Sequence, residues 1–166
     1  LYIRKGLKLP PYIFGGGQEG GSRSGTEAVP QIYGFGRAVA VGFEQLSADT
    51  EKIKELKNLF IGMLKEELPE IELIGQAQAP HIIAVALPGY KSEVLVNYLD
   101  GRGICVSKGS ACKRGRRSHV LEAMGLDTKI IDSSIRVSLS RYNSRQDIIE
   151  LVSALKNAKN DLFTVL

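Results

Sequence analysis

Residues 15–25 hold six of the chain's eighteen glycines, and just after Thr26 an apolar repeat of helical period begins. Glycine reaches backbone conformations closed to other residues, whereas a recurrence every three or four positions marks one face of a helix. A chain that changes character this sharply is expected to fold as a loop feeding a long helix. Such a glycine run is either a flexible linker or an ordered turn, and the interspersed Gln18, Glu19, Arg23 and Thr26 favour the ordered, closely packed form. Ile32, Phe35, Val39, Phe43 and Leu46 carry the repeat, and Pro30 suits a first turn, where a missing N–H costs nothing. Gly34, Gly36 and Gly42 lower helix propensity by about 1 kcal/mol each, so close packing is expected there. Ile53, Leu56, Phe60, Met63 and Leu64 form a second stripe ending near Pro69, with a kink or a new start at residues 47–50. Both stripes read as core.

Downstream the periods alternate. Residues 71–74 and 82–87 read as strands, with turn chemistry at Gly75 and at Pro88-Gly89. Ser92 is a candidate N-cap for a short helix carrying Leu95 and Leu99, stopped by Gly101. Residues 103–106 read as a strand, a helix with Val120, Leu121 and Met124 ends at Gly125, and residues 134–139 form another strand. Ser144 followed by Asp147 opens the last helix with a capping-box pattern. The opening residues 1–6 read as a strand end, and with no initiator methionine the chain is expected to be a fragment. Together these imply an α+β fold, a small sheet with helices on one face. The expected divisions are a glycine-rich segment at 1–28, connecting helices at 29–68 and a small domain at 69–166.

Composition narrows the function classes. Apolar residues make up 43% and charged residues 24%, ordinary values for a globular domain, and no apolar run approaches a membrane span. Two cysteines, Cys105 and Cys112, do not make a disulfide scaffold, and with no signal segment a reducing cytoplasmic setting is expected. The net charge of +4 is too local for nucleic-acid binding, which needs a broader basic surface with interleaved aromatics. His81 and His119 lack partners at ligand spacing, so no metal site is expected.

The charge concentrates around one thiol. Between Asp100 and Glu122 there is no acidic residue, while Arg102, Lys108, Lys113, Arg114, Arg116 and Arg117 flank Cys112. A positive field favours the thiolate, which is the nucleophilic form. A buried structural cysteine is the bland alternative, and Cys105, between Ile104 and Val106, fits it better.

Ser107-Lys108-Gly109-Ser110-Ala111-Cys112 resembles the catalytic loop of the pyridoxal-phosphate-dependent cysteine desulfurases. Two further segments agree in order. Residues 15–27, Gly-Gly-Gly-Gln-Glu followed by Arg23-Ser24-Gly25-Thr26, are similar to that family's glycine-rich segment. Residues 133–143, from Ser133-Ser134-Ile135-Arg136 to Asn143, are similar to its Ser-Ser-Ile-Arg segment. The resemblance covers essentially the whole chain.

The resemblance implies the small C-terminal domain of a fold-type I enzyme, with the large cofactor domain absent. It makes Cys112 the nucleophile that receives sulfur from L-cysteine, leaving alanine, and Arg136 the residue that holds the substrate carboxylate. From position alone Arg136 reads as an ordinary exposed strand residue, and the resemblance reverses that. Thr26 is implied to contact the cofactor phosphate of a neighbouring subunit, hence a homodimer; alone it reads as an N-cap, and the two roles can coexist. The sulfur would go to an acceptor or an iron–sulfur scaffold protein. The family's cofactor lysine follows a Ser-x-His element, and no lysine here does. A related class V aminotransferase, a selenocysteine lyase, or a non-catalytic module binding a sulfur acceptor are the alternatives.

Overall fold

The computed structural model describes residues 1–76, 78–108 and 117–165. The chain divides into two compact units, Leu1–Gln45 and Leu46–Leu166.

In the first unit, residues 1–6 form no strand; the backbone turns at Gly6 instead. The glycine-rich segment is an ordered turn, as its polar residues suggest. Ser24 is buried, its N–H donates to the Ile13 carbonyl at 3.2 Å, and the Gly25 N–H donates to Gln18 Oε1 at 3.1 Å. Gly25 has φ +111°, a conformation that residues with a side chain rarely adopt, so glycine suits the position. Helix α1 then runs unbroken over Val29–Glu67. The expected break at residues 47–50 is absent; the helix continues through them, with the Thr50 hydroxyl donating to the Leu46 carbonyl at 2.6 Å. The first apolar stripe is not core. Ile32, Phe35, Val39, Phe43 and Leu46 are all exposed, between 52% and 77%.

The second unit is built on a four-stranded antiparallel sheet of order β1-β2-β4-β3, with β1 Glu72–Ile74, β2 Ile82–Ala86, β3 Ser107–Lys108 and β4 Ser134–Ser138. Alternation along β2 and β4 sends Ile83, Val85, Ile135 and Val137 to one face. Against that face pack Leu56, Phe60 and Leu64 of α1, α2 (Ser92–Asp100) through Leu95 and Leu99, and α5 (Arg145–Asp161) through Ile148, Val152 and Leu155. The principal helices therefore share one face. The short helices α3 (His119–Ala123) and α4 (Thr128–Asp132) cover part of the other, where Leu121 and Ile131 meet Ile74 and Ala86. At five residues α4 is too short to show a period, and the sequence signal is only its N-cap: Asp127 Oδ1 accepts the Lys129 N–H at 2.7 Å.

Helix α5 opens with the expected capping box, Ser144 and Asp147 each accepting the other's backbone N–H. Its far end is tied to the end of α1 by ion pairs between Lys156 and Glu67 and between Lys159 and Glu70, the second acid lying just past the helix. α2 starts at Ser92 with Lys91, not Ser92, in the cap position. Residues 103–106 do not form the expected strand: β3 begins only at Ser107. Among the described residues no helix is long and apolar enough to cross a membrane.

Two outcomes follow from this packing. Phe60 is fully buried at the centre of the core, so Phe60→Ala should cost about 3–5 kcal/mol in denaturant unfolding; a cost below about 1 kcal/mol would contradict the placement of α1 on the sheet. Hydrogen bonds from Asn143 and from the Ser144 backbone and hydroxyl hold the Asp147 carboxyl below its usual range. A depressed carboxylate pKa stabilises the fold above the unfolded value and loses that effect as pH falls through the folded one. Melting temperature followed from pH 6 down to pH 2 should therefore drop less steeply in Asp147→Asn, which starts lower at pH 6.

Candidate active site

Arg136 sits in the middle of β4, opposite Ala84 on β2 and Ser107 on β3. The alternation that buries Ile135 and Val137 in the main core turns Arg136 to the sheet's other face. There its Nε is buried and has no hydrogen-bond partner among the described residues. A buried guanidinium nitrogen left unmade costs more than the net gain of an ordinary hydrogen bond. An anion at this face would supply the missing partner. The preceding serines make that placement firm: the Ser133 hydroxyl donates to the Lys129 carbonyl at 2.7 Å, and the Ser134 hydroxyl to Ile131 at 2.8 Å.

Register supplies the next element. Ser107, paired with Arg136, is the first residue of the Ser107-to-Cys112 motif, and Lys108, opposite Ile135, is the last described residue ahead of the thiol. Cys112 itself lies outside the described residues, as do Gly109, Ser110, Ala111, Lys113, Arg114 and Arg116. The ladder stops at Ser107. Upstream, residues 103–106 diverge from β4, and a cleft of about 360 Å³ opens between them, β4 and the start of α5. Cys105 lines this cleft and is exposed, not buried as its apolar neighbours suggest, with its Sγ 4.0 Å from Asp100 Oδ1.

The local charge differs from the sequence picture. Three of the six flanking cations are described, and each meets a carboxylate from elsewhere in the chain. Arg102 Nη2 pairs with Asp161 at 3.1 Å and its guanidinium stacks on Tyr98 at 3.5 Å. Lys108 Nζ lies 3.8 Å from Glu93. Arg117 makes a two-pronged pair with Asp132, both contacts at 2.7 Å. The Arg117 bonds hold the Asp132 carboxyl below its usual range. The uninterrupted basic stretch of the sequence is thus partly neutralised in space. Arg141 works on the frame: its Nη1 reaches Asp49 of α1 at 3.3 Å and its carbonyl accepts Lys52 Nζ at 2.6 Å.

In the first unit, Thr26 is exposed and its hydroxyl has no partner among the described residues. It is not the helix cap, since Ala28 directly precedes Val29 and accepts the Ile32 N–H at 3.0 Å. The first turn of α1 offers few free amides, since Val29 donates to the Glu27 carbonyl at 2.9 Å and Pro30 has no N–H; the Thr26 hydroxyl is the group there that could meet a phosphate oxygen.

Residues 1–151 match the family model described as Aminotransferase class-V. The chain belongs to that family. Among curated class-V relatives, "Cysteine desulfurase IscS" of Dictyoglomus turgidum is 32% identical over 99% of this chain and 43% of its own length. "Cysteine desulfurase 1" of Trichormus variabilis is 34% identical over 97% of this chain and 44% of its own. A solved structure titled "NIFS-LIKE PROTEIN" superposes with a TM-score of 0.83 at 34% identity, over 97% of this chain and 42% of that one. The class-V chain thus spans well under half the length of the relatives it matches. Membership and these relatives imply use of pyridoxal phosphate by the intact enzyme. Of the residues present, the exposed Thr26 hydroxyl and the buried, unpartnered Arg136 Nε are groups that could meet a phosphate and an amino-acid carboxylate. No lysine follows a Ser-x-His element in this chain.

Proposed function

We propose that this chain is the part of a cysteine desulfurase that carries the sulfur-accepting thiol and the anchor for the substrate carboxylate. The observation that carries the reading is the pairing of Ser107 with Arg136, which sets the start of the Cys112 segment beside a guanidinium whose buried Nε lacks a partner. A planar guanidinium grips a carboxylate with two parallel hydrogen bonds, fixing both position and orientation of an amino acid. A cysteine so held presents its sulfur in a defined direction, and orientation of this kind is a large part of what a site contributes to rate.

Pyridoxal phosphate, when bound, supplies the electron sink that lets the substrate's α-proton leave. Thr26 contributes a hydroxyl to its phosphate, in a neighbouring subunit of a homodimer. The Cys112 thiolate attacks the sulfur of L-cysteine. A sulfur–sulfur bond forms as the carbon–sulfur bond breaks, and the released electron pair ends, after protonation, in the methyl group of L-alanine. The enzyme is left with a persulfide on Cys112, and the outer sulfur passes to an acceptor or iron–sulfur scaffold protein in the cytoplasm. A thiol serves transamination no purpose, so the motif favours desulfuration over the other chemistries of the family.

In the full-length enzyme, Cys112→Ala should abolish sulfide release from cysteine and leave the visible cofactor band in place, while Cys105→Ala keeps most activity. Normal turnover by Cys112→Ala would remove the central claim. Loss of the two-pronged contact in Arg136→Ala should cost roughly 2–4 kcal/mol of transition-state binding. Steady-state kinetics should therefore show a raised KM for cysteine and kcat/KM lower by about a hundredfold; wild-type efficiency would reject the assignment.

The 166-residue chain by itself is expected to remain colourless after incubation with excess pyridoxal phosphate and removal of the unbound part. A stoichiometric visible band with sulfide production from cysteine would mean that these residues already hold a complete site.

A further inference from the structure

Two anchors flank the Cys112 segment, and both belong to one continuous strip of chain. On the entry side β3 is laddered to Ile135 and Arg136 of β4. On the exit side Arg117 grips Asp132, the last residue of α4, four positions before Arg136. The exit pair joins residues fifteen apart in sequence through Nε–Oδ1 and Nη2–Oδ2 contacts of 2.7 Å each. Two parallel prongs fix a direction as well as a distance, which a single ion pair does not. Asp132 is a carboxylate at a helix C-terminus, the end where the dipole disfavours negative charge. Nothing in α4 itself calls for an acid there; Arg117 does.

The chain on either side of the pair is held by buried hydrogen-bonding serines. After Asp132, the buried Ser133 and Ser134 bond back to carbonyls of α4. After Arg117, the buried Ser118 caps α3, its hydroxyl accepting the Leu121 N–H at 3.5 Å. Four peptide units separate Cys112 from Lys108 and five separate it from Arg117, so covalent reach alone ties the thiol to within about 14 and 17 Å of the two anchors.

We infer that Arg117 and Asp132 form a positioning clamp, setting where the Cys112 segment rejoins the domain relative to Arg136 and so governing sulfur attack without contributing to cysteine binding. The inference rests on the desulfurase reading. Releasing Arg117 moves the exit anchor one residue on, to Ser118, lengthening the tether by about 3.5 Å. Misplacement on the ångström scale is enough to slow a reaction between oriented groups. The carboxylate anchor at Arg136 is untouched by such a change. Binding and turnover should therefore separate.

The test uses the full-length enzyme with bound cofactor and compares the parent with Asp132→Asn, Arg117→Gln and the exchanged pair Arg117→Asp/Asp132→Arg. Both single variants should lower kcat on the order of tenfold with KM for cysteine and the visible cofactor spectrum unchanged, and the exchanged pair should recover much of the loss. A second readout is independent of turnover. In Asp132→Asn, trypsin cleavage after Arg117 should speed up severalfold, because the guanidinium that the protease must bind is no longer held. Unchanged kcat in the single variants, a loss shared equally by KM, a loss without recovery in the exchanged pair, or unchanged tryptic cleavage would each overturn the clamp. Cys112→Ala run alongside separates the two failures. Should it retain activity, the desulfurase reading falls; should it be inactive while the clamp variants behave as the parent, only the clamp falls.

Discussion

The five-residue ladder between β2 and β4, running from Ile82 opposite Ser138 to Ala86 opposite Ser134, is the interaction on which the second unit depends. Its register decides two things at once. Ile83, Val85, Ile135 and Val137 are committed to the helical face, where α1, α2 and α5 bury them. Arg136, between two of those core residues, is committed to the opposite face. A slip by one residue would drive the guanidinium into the apolar core and expose the core side chains. Burying an unpaired charge there is costly enough that the alternative register is strongly disfavoured. The fold and the candidate anion site therefore stabilise one arrangement together.

Around this ladder the irregular pieces acquire their positions. β3 is only two residues long, yet its pairing with Arg136 and Ile135 is what brings the Ser107 motif to the site. The short helices α3 and α4 cover part of the second face with Leu121 and Ile131, and α4 delivers Asp132 to Arg117. Charge is handled in the same way: Arg102, Lys108 and Arg117 meet carboxylates from α5, α2 and α4 respectively. Exposed pairs like these contribute little to stability singly. Their effect is on where segments sit and on the local field.

Much of this was legible before any coordinates. The α5 capping box, the strands expected at 82–87 and 134–139 and observed one residue shorter, the ordered glycine turn and the α1 residues from Leu56 to Leu64 all follow from local pattern, because each is decided by residues a few positions apart. The class-V family was legible in three ordered motifs. Elsewhere local pattern misled. Cys105 has core neighbours and is exposed, since the β3–β4 ladder ends before reaching it. Ile32 to Leu46 carry a core-like stripe and remain exposed: periodicity states which face of a helix is apolar, not what covers it.

By itself the sequence determined the residue types that can do the chemistry, the helix and turn signals, and the alternation that separates Arg136 from its apolar neighbours. Tertiary structure alone decided that Arg136 faces Ser107, and that Arg117, Lys108 and Arg102 are met by Asp132, Glu93 and Asp161. The division has a physical cause. Hydrogen-bonded turns and amphipathic faces are short-range, encoded within one or two helical turns of chain. The β2–β4 register and the ion pairs flanking the Cys112 segment join residues from fifteen to fifty-nine positions apart, and those choices are made by the packing of the whole core.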